Sequence, residues 1–219
     1  MSKHEQLSRV LNTGIVAIIR ASSGDLLVDV AEALVAGGVE VLEVTFTVPG
    51  AVRVIERVAE KLGNKILLGA GTVLDPETAR AALLAGAEFV VSPNTNTAVI
   101  ELCRRYDKLV MPGALTPTEV VAAWQAGADV VKIFPSDTLG AKYLKALKAP
   151  LPQIRMMPTG GVTLETAADF LKAGACALGI GGSLVEADAV AKGDLKRIES
   201  LAKQFVAAVT KARAEIKPS

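Results

Sequence analysis

Residues 117–135 read PTEVVAAWQAGADVVKIFP. Pro117 marks a helix start, and the Ala-rich stretch Pro117–Ala126 carries the helix. Ala126-Gly127-Ala128 ends it, with the glycine as the left-handed residue. Val130–Ile133 then reads as a short buried strand, broken by one charge, Lys132. The same helix–glycine–strand unit recurs along the chain. Ala36-Gly37-Gly38, Ala85-Gly86-Ala87 and Ala173-Gly174-Ala175 sit at equivalent places, and Pro76 and the Thr163/Leu164 region open other helices.

Counting outward gives eight strands: Gly14–Arg20, Val39–Thr45, Ile66–Ala70, Phe89–Ser92, Leu109–Pro112, Val130–Ile133, Arg155–Met157 and Ala177–Ile180. Between them lie helices over Asp25–Ala36, Ala51–Leu62, Pro76–Ala85, Thr97–Tyr106, Pro117–Ala126, Ala141–Leu147 and Leu164–Ala173. Lys192–Ala214 closes the chain, Glu5–Thr13 forms a short helix before the first strand, and Lys211–Ser219 is a helix end or a tail. Eight units in 219 residues average about 27 residues each, which suits a compact (β/α)8 TIM barrel. The strands are apolar on both faces, as a parallel sheet covered by helices requires. An open doubly wound sheet is the alternative, but Arg20-Ala21-Ser22-Ser23-Gly24 does not supply its G-x-G-x-x-G turn. No linker or charge block divides residues 1–219, so one domain is expected.

Composition narrows the function. With 51% hydrophobic residues the chain is too apolar for disorder, yet each apolar run is too short for a membrane span. Met1–Gln6 lacks the apolar core of a signal peptide. Lys+Arg 24 against Asp+Glu 23 gives +1, so no bulk field attracts nucleic acid or anionic membrane. Cys103 and Cys176 read as buried free thiols of a cytoplasmic protein. The single histidine, His4, lies in the polar start, which excludes His-based nucleophile systems and His-rich zinc sites from the body of the fold. A Mg²⁺ site built from carboxylates stays open at this point, and for an enzyme the acid–base work falls to Lys, Glu, Asp or Tyr.

In a barrel, chemistry sits at the C-terminal ends of the strands. Lys132 is the one lysine inside an apolar strand, and burial favours its neutral, nucleophilic form, which can make a Schiff base with a carbonyl. Glu43 interrupts Val41-Leu42-Glu43-Val44-Thr45 in the same way. The two form either an active pair or an internal salt bridge between strands. Arg20 ends strand one and either clamps an anion or neutralises Glu43. Strands seven and eight lead into Thr159-Gly160-Gly161 and Gly181-Gly182-Ser183, where this fold places a phosphate between backbone N–H groups and helix N-termini.

These motifs, with Gly69-Ala70-Gly71-Thr72-Val73, Ser92-Pro93, Met111-Pro112-Gly113 and Lys132-Ile133-Phe134-Pro135, together closely resemble the 2-dehydro-3-deoxyphosphogluconate (KDPG/KHG) aldolase family from about Gly14 to Leu184. The resemblance implies a homotrimeric barrel. The reaction would be metal-free, class I retro-aldol cleavage of 2-dehydro-3-deoxy-6-phosphogluconate to pyruvate and D-glyceraldehyde 3-phosphate. It implies Lys132 as the Schiff-base lysine and Glu43 as the general acid/base. Arg20 and Thr72 would lie near the pyruvate carboxylate and hydroxyls, with Pro93 and Phe134 lining the pocket. Thr159, Gly160, Gly161, Gly182 and Ser183 would form the phosphate-end loops. One position departs: some members carry Arg four residues after the catalytic Glu, where this chain has Thr47. The 6-phosphogalactonate aldolase and bifunctional KHG/KDPG readings therefore stand as alternatives within the family. A phosphate-binding barrel isomerase or synthase and a non-catalytic assembly protein are the alternatives from other classes.

Overall fold

The computed structural model describes residues 1–21 and 24–216. Ser22 and Ser23 of the Arg20–Gly24 run, and the last three residues of the Lys211–Ser219 stretch, lie outside the described residues.

Helix α1 (Lys3–Thr13) starts on a reciprocal cap: the Ser2 hydroxyl accepts from the Glu5 N–H, and the Glu5 carboxylate accepts from the Ser2 N–H at 2.7 Å. The chain then alternates β1 (Ile15–Ile19), α2 (Leu27–Ala36), β2 (Val41–Thr45), α3 (Ala51–Leu62), a 3-10 turn (Gly63–Lys65), β3 (Leu67–Gly71), α4 (Pro76–Leu84), β4 (Phe89–Val91) and α5 (Thr97–Arg105). It continues through β5 (Leu109–Met111), β6 (Gly113–Ala114), α6 (Pro117–Ala126), β7 (Val131–Ile133), α7 (Gly140–Lys148), β8 (Met156–Pro158), α8 (Ala167–Lys172), β9 (Leu178–Ile180), α9 (Ala187–Lys192) and α10 (Leu195–Glu215). The glycine refrain ends helices as expected: Gly86, Gly127 and Gly174 hold φ of 106°, 105° and 100°. In Ala36-Gly37-Gly38 the second glycine takes the left-handed turn, at φ 90°.

Each of the eight expected strands is present, and all pairings are parallel. A six-stranded sheet runs β5-β4-β3-β2-β1-β9, and a three-stranded sheet runs β6-β7-β8. An isolated parallel bridge between Thr159 and Gly179 joins the end of β8 to β9. β5 and β6 are consecutive pieces separated by Pro112, whose carbonyl accepts from the Lys132 N–H at 2.9 Å. Most boundaries move by one or two residues, and three differences are larger. β6 is an additional short strand. α8 begins at Ala167 rather than Leu164, because the Thr166 hydroxyl accepts from Thr163 N–H and donates to Gly161 O, offering that backbone a turn instead. The closing helix begins at Leu195, because Gly193 (φ 66°) ends the unexpected α9 and Asp194 caps α10 by accepting from Arg197 N–H.

Side chains alternate along each strand between two apolar clusters. Ile15, Ala17, Leu42, Val44, Val90 and Val131 face the helices. Val16, Val41, Leu67, Phe89, Leu109 and Met157 form a second cluster with Val10 and Leu7 of α1. This inner cluster takes in the first residues of β2, β3, β4 and β5 and reaches Val91 and Met111 at the ends of β4 and β5. Among the described residues no helix is long and apolar enough to cross a membrane.

Candidate active site

Following the inner-face positions towards the C-terminal ends of the strands, the apolar layer gives way to polar groups and glycine. Val16 is followed by Ile18 and Arg20, Val41 by Glu43 and Thr45, and Leu67 by Gly69 and Gly71. Val130 is followed by Lys132 and Phe134, Met157 by Thr159, and Ala177 by Gly179 and Gly181.

Lys132 and Glu43 are only 6% and 1% exposed. Burial, which disfavours charge, is the main influence on both. It pushes the Glu43 carboxyl above its ordinary range, against the opposing pull of Lys132 and Arg20. It pushes the Lys132 ammonium below its ordinary range; Glu43 opposes this and Arg20 adds to it. Among the described residues neither side chain joins an ion pair. Glu43 Oε2 is buried with no hydrogen-bond partner. An internal salt bridge would have shown the opposite: short contacts and two stabilised charges. The Lys132 ammonium lies 5.1 Å from the centroid of the Phe134 ring, close enough for a cation–π contact when protonated.

Phe134 also walls a cavity of about 300 Å³, together with Arg20, Thr159, Gly160, Gly161, Gly182 and Ser183. Seven of the residues singled out from sequence therefore share one space, and Lys132 and Glu43 lie buried outside its lining. Pro93 borders a neighbouring space of about 240 Å³ that also touches Phe134. Thr72 follows β3 at φ 60°, a left-handed conformation costly for a non-glycine residue, but lines neither cavity. Gly160 and Gly161 hold φ of 93° and 67°, so the loop after β8 can turn its backbone to the cavity. The helix after this loop starts only at Ala167, beyond the range at which its dipole is strong.

Three residues of this region carried no role in the sequence reading. Ser136 is buried, donates from its hydroxyl to Ile133 O at 2.7 Å and from its N–H to Thr159 O at 2.9 Å, and so ties the end of β7 to the end of β8. Gly179 lies against the Thr159 hydroxyl, which occupies the place its missing Cβ would take. Gly71 lies against the Glu43 carboxylate. Glycine inside a strand signals close approach, but only the fold says of what. The Phe134–Pro135 peptide is cis. Among the described residues no three His, Cys, Asp or Glu side chains cluster as metal ligands would.

The family profile of KDPG and KHG aldolase matches residues 7–201. The chain belongs to this aldolase family. A 2-dehydro-3-deoxy-phosphogluconate aldolase from Treponema pallidum is 37% identical over 202 residues, covering 91% of this chain and 94% of the relative. A 2-dehydro-3-deoxy-6-phosphogalactonate aldolase from Escherichia coli is also 37% identical, over 79% of this chain and 85% of that one. Among solved aldolases of the family, the KDPG aldolase from Legionella pneumophila, with pyruvate captured as a covalent carbinolamine, superposes with a TM-score of 0.85 at 26% identity, covering 91% of this chain and 97% of that one.

Proposed function

We propose that this chain is a class I aldolase that reversibly cleaves 2-dehydro-3-deoxy-6-phosphogluconate into pyruvate and D-glyceraldehyde 3-phosphate. The observation that carries the reading is Lys132, a buried lysine in no ion pair among the described residues, beside a glycine-lined cavity at the C-terminal ends of the strands. Burial holds a share of Lys132 as the neutral amine, the form that attacks the C2 carbonyl. Loss of water from the carbinolamine leaves a cationic iminium beside the C3–C4 bond. Glu43, as carboxylate, takes the proton of the C4 hydroxyl. The C3–C4 bond electrons then flow to the iminium, giving a neutral enamine and releasing the aldehyde. Glu43 returns the proton to the enamine carbon, and water frees pyruvate and Lys132. The raised affinity of Glu43 for its proton suits both the taking and the returning.

Arg20 and Thr72 hold the carboxylate and hydroxyl end of the substrate, and Pro93 and Phe134 wall it. Gly160, Gly161, Gly182 and Ser183 offer backbone donors to the phosphate, with Thr159 beside them. The 6-phosphogalactonate aldolase relative keeps the C4 epimer as the second candidate substrate. Residues 1–219 form one domain in which the two sheets close as a (β/α)8 barrel; the Thr159–Gly179 bridge and the β5–Pro112–β6 continuity support that closure. Homotrimerisation is supported by the resemblance and by the exposed Leu74 and Leu84, 53% and 70% accessible. A cytoplasmic setting is supported by two unpaired cysteines, with burial pushing the Cys103 thiol up to about 12 and the Cys176 thiol up to about 11.

The test is incubation with pyruvate, borohydride reduction and peptide mass spectrometry. An adduct on Lys132 alone is expected. No adduct in folded protein would remove the imine mechanism and favour the isomerase or assembly readings. Release of pyruvate from each C4 epimer then assigns the substrate.

A further inference from the structure

We propose that Gly71 is a positioning residue for the Glu43 carboxylate, reserving the space in which that carboxylate sits. The proposal rests on the catalytic reading of Glu43. In the β2–β3 ladder Glu43 is level with Gly69, and Thr45 is level with Gly71. The Glu43 side chain leans one step up the strands and across to β3. A Cβ on residue 71 would lie 2.5 Å from Glu43 Oε1, 2.9 Å from its Cδ and 3.3 Å from Thr45 Cγ2. The first contact is about 1 Å inside the ordinary separation of non-bonded heavy atoms.

The backbone does not demand glycine here: Gly71 is absent from the left-handed positions and lies in extended strand, where alanine fits. The space alone demands it. Thr45 cannot make room, because its hydroxyl is within 3.3 Å of Ile19 O and 2.7 Å of Thr47 Oγ1. The carboxylate is the free end of a flexible chain, so it is what gives way. Moving it disturbs the fold little and the chemistry greatly. The contrast with Gly69 two residues earlier is direct, since a Cβ there would land on the rigid Phe89 ring of β4.

The experiment compares Gly71→Ala, Glu43→Asp, the double variant and Glu43→Gln in the aldol-cleavage assay. Displacing a reacting group by about 1 Å lowers rate by roughly 100-fold. Gly71→Ala is expected to lose kcat on that scale, with KM changed less than about threefold. The limb of its kcat–pH profile governed by the carboxyl moves to higher pH, because displacement takes the carboxylate from the position where Lys132 and Arg20 favour its charge. A residue with only a packing role would leave the limb in place. Glu43→Asp withdraws the carboxylate from the methyl, so the double variant's loss should be smaller than the product of the two single losses by at least about fivefold. If Gly71→Ala does not fold, the double variant should, since relief of the same collision restores it. The proposal is overturned by near-native kcat in Gly71→Ala, by strictly multiplicative losses, or by a double variant that also fails to fold. Full activity in Glu43→Gln would instead overturn the catalytic reading beneath it.

Discussion

Lys132→Met separates an active-site lysine from a structural one by moving stability and activity in opposite directions. Methionine keeps the length and most of the apolar stem, so no large cavity opens; what leaves is an ammonium that is 6% exposed and joins no ion pair among the described residues. Relieving the desolvation of that group, net of the favourable pull of Glu43, returns roughly 1–3 kcal/mol. At ~2–4 °C per kcal/mol for a chain of this size, Tm should rise by on the order of 2–12 °C. The gain should depend on pH with a definite sign. Lys132 holds its proton less tightly when folded than the ordinary 10.5, so the unfolded chain binds more protons in the window below 10.5. Wild-type stability therefore recovers as pH climbs towards 10.5, and the advantage of Lys132→Met shrinks there. Thermal melts of both proteins at several pH values, beside a cleavage assay, give the answer. A loss of about 3–5 kcal/mol with activity retained, as for breaking a buried ion pair, would refute the reasoning.

Glu43→Gln should lower kcat by about 10²–10⁴ while borohydride still traps pyruvate on Lys132 during long incubation; trapping and turnover measured together check it. Glu43, whose carboxyl is raised, should make wild-type stability fall as pH rises above 4.5 through its folded value, a slope absent from Glu43→Gln in urea melts. Gly161→Ala combines φ 67° with a Cβ position 2.7 Å from Asp137 Cα, and should raise KM for the phosphorylated substrate about tenfold while leaving pyruvate trapping unchanged. Thr116→Ala removes the hydroxyl that accepts from Glu119 N–H at the start of α6, and should cost about 1 kcal/mol in a melt without altering kcat.

The repeated unit was legible because its punctuation is chemical: Pro117 can open a helix, and Gly86, Gly127 and Gly174 can turn left-handed where other residues resist. Lys132 and Glu43 stood out because a charge in an apolar strand is costly enough to need a reason. What the periodicity could not show depends on neighbours far along the chain. Gly71 and Gly179 mean little until β2 and β8 bring Glu43 and Thr159 against them. Ser136 reads as a loop residue until its hydrogen bonds to Ile133 and Thr159 are formed. The late start of α8 turns on one hydroxyl, that of Thr166, and the break between α9 and α10 on Gly193.

The apolar plug, where Leu7 and Val10 of α1 meet Val16, Val41 and Phe89, lies beneath Glu43 and Lys132, which follow Val41 and Val130 of the same cluster by two residues. In the proposed mechanism a substrate tethered at its second carbon to Lys132 would have its pyruvyl half over this floor and its phosphate-bearing half towards the glycine loops. After the bond breaks, the aldehyde is free to depart while the other fragment is still bound covalently to Lys132 and awaits hydrolysis. In the synthetic direction the tethered fragment must be loaded before its partner arrives. In this mechanism the covalent link to Lys132 sets the order of arrivals and departures, and α1 supplies the apolar floor beneath it.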